Sequence, residues 1–177
     1  MKTNGTLVQG PEDKQYTLSM LVRNHAGVLS HVAGLFTRRG YNIETISAGV
    51  TENPEITRIT IVVTGDDRIL DQVIKQCRKL VDVITVANLK YNESVTRELA
   101  IIVVNATSDT RSQIIEIADV FSAKVVDMSE DAIMLEVTGN TRQINSIMEL
   151  LKPYGIAEIG RTGMVALQYR SRIPQID

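Results

Sequence analysis

The chain has 177 residues, with 19 Lys plus Arg against 21 Asp plus Glu, 44% hydrophobic and 4% aromatic residues, and one cysteine. That length accommodates one large domain or two small ones able to bury a core unaided, and it needs no disulfide or metal staple. A single cysteine excludes an internal bridge, two histidines are too few for a zinc centre, and both facts fit a reducing cytoplasm. The net charge of -2 and the lack of tryptophan supply neither a basic field nor stacking platforms for nucleic acid, and no apolar run is long enough to span a membrane.

Residues 1–15 read as a polar tail. From Tyr16 to Arg23 the apolar residues Leu18, Met20 and Val22 alternate with Thr17, Ser19 and Arg23, the period of a half-buried strand. Val28, Leu29, Val32, Leu35 and Phe36 then recur at helical spacing, with Arg38 and Arg39 in the last turn and Gly40 as the stop. Asn42 to Val50 and Ile56 to Thr64 read as a hairpin turning at Asn53 and Pro54. Asp66 caps a helix carrying Ile69, Leu70, Val73, Ile74, Cys77 and Leu80, and Val83 to Leu89 closes the unit.

The order is βαββαβ, and it repeats. Residues 91–97 read as a linker. Leu99 to Asn105 is a strand, and Thr110 with Gln113 reads as a capping box for a helix burying Ile114, Ile117, Ala118 and Phe121. Val125 to Ser129 and Ile133 to Thr138 form a second hairpin. Asn140 caps a helix stopped at Pro153 and Gly155, and the last strands fall within Ile156 to Leu167. The fold class is therefore α+β, two tandem ferredoxin-like units of about 75 residues, over 16–90 and 98–168, before a short tail at 169–177. Such units cover one sheet face with helices and leave edge strands that invite pairing of like units.

Chemistry concentrates at Asn24-His25-Ala26-Gly27-Val28-Leu29, where the first strand meets the first helix. Amide N–H groups at a helix start attract a carboxylate, and glycine lets backbone approach it closely. Asn24 and Asn42 offer amide donors and carbonyl acceptors suited to both charged ends of an amino acid, while Val28, Ile43 and Ile46 suit an aliphatic side chain. The competing reading makes Asn24 a plain helix cap and Gly27 a packing requirement. The repeat argues for a site in the first unit alone. Its counterpart, Asn105-Ala106-Thr107-Ser108-Asp109-Thr110, has no glycine and sets an acid near the helix start, and Val126 or Asp127 roughly replaces Asn42. Cys77 belongs to an apolar stripe and reads as a structural thiol, His31 as a solvated side chain, and no Ser, His and Asp constellation is present.

With that junction, the string Gly34-Leu35-Phe36-Thr37-Arg38-Arg39-Gly40-Tyr41-Asn42-Ile43 and the strand Arg58-Ile59-Thr60-Ile61-Val62-Val63, the chain resembles the small subunits of acetolactate synthase over about residues 16 to 168. Its first unit resembles an ACT domain. The resemblance implies a regulatory subunit without catalytic activity of its own. Such a subunit binds a larger catalytic subunit that carries thiamine diphosphate, magnesium and FAD, raises its activity, and confers feedback inhibition by branched-chain amino acids, usually valine. It further implies a homodimer through the ACT domains, with Asn24, Gly27 and Asn42 at effector-binding positions between two chains; Val28, Leu29 and Ile43 are their neighbours in the sequence and join the candidate site on that ground. A stand-alone tandem ACT sensor acting on another enzyme or on transcription is the alternative.

Overall fold

Alternation along β1 (Lys14–Arg23) sends Leu18, Met20 and Val22 to one face, where they meet Ile59, Ile61 and Val63 of β3 (Ile56–Gly65). Two amphipathic helices close over that face. α1 (Val28–Arg39) contributes Val28, Val32, Leu35 and Phe36, and α2 (Asp67–Cys77) contributes Val73 and Cys77. Each large side chain buried there contributes about 1.5 to 3 kcal/mol. With β2 (Ile43–Val50) and β4 (Val83–Leu89), the antiparallel sheet has the order β2-β3-β1-β4, so β2 and β4 are its edges.

This computed structural model describes residues 14–170. The chain divides into two compact units between Lys90 and Tyr91. The second unit follows the same order: β5 (Ser94–Asn105), α3 (Arg111–Val120), β6 (Lys124–Met128), β7 (Ala132–Gly139), α4 (Thr141–Leu151) and β8 (Ile156–Arg161), with sheet order β6-β7-β5-β8. Its core gathers Ile102, Ile114, Ile133, Leu135, Ile144, Ile147 and Leu151.

Several boundaries lie elsewhere than the sequence alone places them. Lys14 and Gln15, assigned to the tail, begin β1 opposite Gly65 and Thr64; residues 1–13 and 171–177 lie outside the described residues. The stretch 91–97, read as a linker, holds a 3-10 turn at Tyr91–Glu93 and the first four residues of β5, which pair with β9 (Val165–Gln168). Tyr169, at the head of the expected tail, continues the pairing through its N–H to the Glu93 carbonyl at 2.9 Å. Polar composition hid these residues because an antiparallel pair with one solvated face does not require apolar side chains on it.

The helix ends show which local signals suffice. Asp66 accepts the Ile69 N–H at 2.8 Å, and Gly40, at φ 69, turns its N–H back to the Phe36 and Thr37 carbonyls. At α4, Asn140 accepts the Gln143 N–H at 2.9 Å while the Gln143 side chain accepts the Asn140 N–H at 2.9 Å, a full capping box. The box expected at α3 does not form. Thr110 turns its hydroxyl to the Thr107 N–H at 2.9 Å, and Gln113 instead accepts from the Tyr154 hydroxyl at 3.1 Å. Asn140→Ala is expected to cost about 1 kcal/mol, read as a lower urea midpoint at unchanged slope, and Thr110→Ala less.

Candidate functional site

Gly27 precedes α1 at φ 90 and ψ -10, a left-handed conformation that side chains rarely adopt, and an added Cβ would meet nothing within 4 Å. The loop is therefore glycine's by conformation and open on its outer side. No side chain caps α1. The Val28 N–H reaches the His25 carbonyl at 3.3 Å and the His31 N–H the Gly27 carbonyl at 3.0 Å, but among the described residues the N–H groups of Leu29 and Ser30 find no acceptor. Free donors at the positive end of a twelve-residue helix form a seat for a carboxylate.

Asn24 is not the helix cap. Its Nδ2 donates to the Pro54 carbonyl at 2.8 Å, its Oδ1 accepts from the Thr57 hydroxyl at 3.0 Å, and its backbone N–H reaches the Glu55 carbonyl at 2.7 Å. The side chain ties the junction to the β2–β3 turn, with one amide hydrogen and one lone pair in reserve. Leu29 is 44% exposed beside the loop. Val28, expected to touch an effector, is buried in the core and supports the loop from beneath.

Asn42 lies at the opposite end of the sheet. Ile43 pairs with Val63, which pairs with Tyr16 at the start of β1, so Asn42 and Asn24 are separated by roughly 30 Å along the strands, at about 3.4 Å per residue. The cause is topological: α1 carries the chain back to where β1 began. Asn42 Nδ2 donates to Glu44 at 2.7 Å, and its Oδ1 receives no donor among the described residues. Ile43 packs against the core edge, and Ile46, on the same edge strand, is 39% exposed. Within one chain the predicted residues thus form two half-sites: Asn24, Gly27 and Leu29 at one end, Asn42 and Ile43 at the other.

Register also refines the comparison between repeats. Asn24 donates across to Glu55 as Ala106 donates to Asp131 at 2.8 Å, so the counterpart of Asn24 is the buried Ala106, one residue beyond Asn105. Asp127 pairs with Met134 near the turn end of its hairpin, away from the position that Asn42 holds in the first. Ala123 returns its N–H to Ala118 as Tyr41 returns its own to Phe36, so Lys124 holds the position of Asn42, and the second unit has neither asparagine.

Two residues at the site have no signal in the sequence. Thr57 holds Asn24 from 33 positions away, and Asp82 faces His25 from 57 positions and His31 from 51. His31, expected in solvent, is 63% exposed there and also sets its Nδ1 3.2 Å from Asp82 Oδ2. No local pattern announces contacts this distant. Cys77 is fully buried, and burial pushes its thiol up to about 11, so it is inert at neutral pH. Among the described residues no group of three or more His, Cys, Asp or Glu is placed to hold a metal ion, and no helix is long and apolar enough to cross a membrane.

A βαββαβ unit with an open glycine junction before its first helix is the architecture of a regulatory ACT domain, and the AHAS small subunit-like ACT domain family matches residues 18–85. The family described as the small subunit of acetolactate synthase matches residues 97–170. The chain belongs to the acetolactate synthase small-subunit family, whose members are regulatory and not catalytic by themselves. It is 47% identical over 162 residues to a protein of Methanothermobacter thermautotrophicus named probable acetolactate synthase small subunit, covering 91% of this chain and 96% of that one. The acetolactate synthase small subunit of Mycobacterium bovis is 45% identical over 87% of this chain and 92% of its own length. The crystal structure of the acetolactate synthase small subunit from Thermotoga maritima superposes with a TM-score of 0.82 at 36% identity, covering 88% of this chain and 98% of that one.

Proposed function

We infer that this subunit, in the cytoplasm, activates the catalytic subunit of acetolactate synthase and makes it sensitive to a branched-chain amino acid, valine foremost. Thiamine diphosphate, magnesium and FAD belong to the catalytic subunit in this reading. The observation that carries it is the uncapped start of α1 behind Gly27, in a unit whose second polar half-site stands at the far end of an edge strand.

Two copies of the first unit reconcile the half-sites. If β2 pairs antiparallel with β2 of a second copy, the start of one strand lies beside the end of the other, and the partner's Asn42 arrives at the end of the sheet that holds Asn24 and Gly27. The two-fold axis makes two equivalent sites. In each, the effector carboxylate faces the free amides of Leu29 and Ser30, its ammonium meets Oδ1 of the partner's Asn42, and its aliphatic side chain lies along Leu29 and the partner's Ile43. Aliphatic contacts alone discriminate weakly among valine, leucine and isoleucine, since one methylene is worth about 1 to 3 kcal/mol in a fitted pocket. The effector inhibits insofar as it binds two states of the complex differently, and a coupling of about 1 to 3 kcal/mol is ordinary.

The test is titration of valine, leucine and isoleucine into a reconstituted mixture with the catalytic subunit, following pyruvate condensation. Asn42→Ala removes the ammonium's acceptor without touching the core. It is expected to raise the valine concentration for half-inhibition about tenfold, the size of one lost hydrogen bond to a charged group, with activation retained. Unchanged valine sensitivity in that variant counts against the site.

A further inference from the structure

The loop that presents Gly27 is held by a second device, built from His25, His31 and Asp82. His25 Nδ1 stands 2.9 Å from the Ala26 carbonyl oxygen and its Nε2 stands 2.8 Å from Asp82 Oδ1. Both neighbours are acceptors. A neutral imidazole has one N–H and one lone pair, so it satisfies only one of these contacts and turns a lone pair on an oxygen at the other; imidazolium donates to both. Asp82 is well placed to favour that form. Its side chain is 12% exposed, its backbone carbonyl accepts the Arg23 N–H at 2.9 Å, and its second oxygen faces His31 Nδ1 at 3.2 Å, a contact that a neutral histidine satisfies.

We propose that His25, clasped to Asp82, is a proton-operated positioning residue for the loop 24–27: its protonated ring holds the amides behind Gly27 in the effector-binding arrangement, and its deprotonation releases them. The effector half of this statement rests on the function proposed above, whereas the clasp does not.

The groups facing His25 are Asp82 from the turn before β4, His31 from α1, and Arg23 from the end of β1. The Asp82 hydrogen bond, with the Ala26 carbonyl next, raises the proton affinity of His25 above that of an ordinary imidazole, against partial desolvation and the Arg23 charge. Hydrogen bonds from His25 and then His31 hold the Asp82 carboxyl below the usual carboxylate range. The clasp is therefore complete below the ordinary histidine value of about 6.5 and is lost as pH rises through the higher folded value. Two effects then act in the same direction on an anionic carboxylate, because deprotonation loosens the donors and also removes a nearby positive charge.

The experiment follows the amide resonances of the full-length chain by NMR as pH rises from 5.5 to 9, alongside valine binding by calorimetry at both ends of that range. The Gly27, Leu29 and Ser30 amides are expected to titrate together with the His25 ring, at a midpoint above 6.5 that falls in Asp82→Asn. In His25→Gln the same amides stay flat, while His31→Gln leaves their titration in place. Valine affinity is expected to fall about fivefold from low to high pH in the native chain, a coupling at the low end of the ordinary range, and to lose that dependence in His25→Gln. Amides behind Gly27 that ignore the His25 titration overturn the clasp. Amides that follow it in a chain binding no branched-chain amino acid at either pH uphold the clasp and remove the effector reading instead.

Discussion

Gly27→Val is expected to weaken effector sensitivity more than tenfold while leaving the subunit folded. At φ 90 a side chain costs about 1 to 2 kcal/mol, and a β-branched one sits at the upper end of that range. An added Cβ meets no atom within 4 Å, so nothing in the core resists the substitution, and the strain is relieved by rotation of the loop itself. That rotation re-aims the N–H groups of Leu29 and Ser30, on which the proposed carboxylate contact depends. The measurement is a valine titration of acetolactate formation by the reconstituted complex. The concentration for half-inhibition should rise more than tenfold, which corresponds to more than about 1.4 kcal/mol, and Gly27→Ala should move it in the same direction by less. Stimulation of the catalytic subunit at zero valine should persist. A Gly27→Val subunit that remains fully sensitive shows that the effector is held elsewhere.

The largest effect on stability is expected at Arg161 in the second unit. Its Nε and Nη2 donate to Glu98 Oε2 at 2.7 and 2.6 Å, and its Nη1 donates to Asn145 Oδ1 at 2.9 Å. The Glu98 side chain is 2% exposed, and its other oxygen accepts from the Thr141 hydroxyl at the start of α4. Arg161→Ala strands a carboxylate in the interior, a loss of about 3 to 5 kcal/mol. The thermal transition that carries β5 and α4 should fall by roughly 12 to 24 °C for a loss of 3 kcal/mol in a unit of this size. Glu98→Leu combined with Arg161→Leu removes both charges and should cost less than Arg161→Ala alone, because no ion is left unpaired. Equal losses in the two variants would mean that packing of the arginine stem, not the charge, carries the effect.

Residues close in sequence were legible in proportion to how local their causes are. Gly40 ends α1 because the backbone needs a left-handed residue there, Asp66 and Asn140 cap their helices from within one turn, and the alternation of Leu18, Met20 and Val22 is a property of the strand itself. Thr110 offered the same local pattern at α3 and failed. Its hydroxyl had a nearer donor in the Thr107 N–H, and Gln113 was drawn to Tyr154, 41 residues away. The polar run 91–97 failed for a related reason. Its strand character comes from β9, more than sixty residues later, and no property of the run reveals that partner.

The candidate site divides along the same line. Glycine at position 27 and the helix that follows it are written in the chain, because conformation and periodicity act over a few residues. The placement of the rest waited for the fold. Asn24 is turned to Thr57 and Pro54 by the β2–β3 hairpin, Val28 is drawn under the loop by the core, and His25 and His31 converge on Asp82 because β4 begins beside the end of β1. Asn42 is sent to the far end of the sheet by the return path of α1, so a pocket using both asparagines requires a second chain. Sequence determined the repeated βαββαβ units and the open glycine junction, since short-range backbone preference and apolar spacing suffice for both. Tertiary structure alone decided which polar groups meet, because hydrogen-bond partners across a sheet are chosen by strand register and have no trace in local pattern.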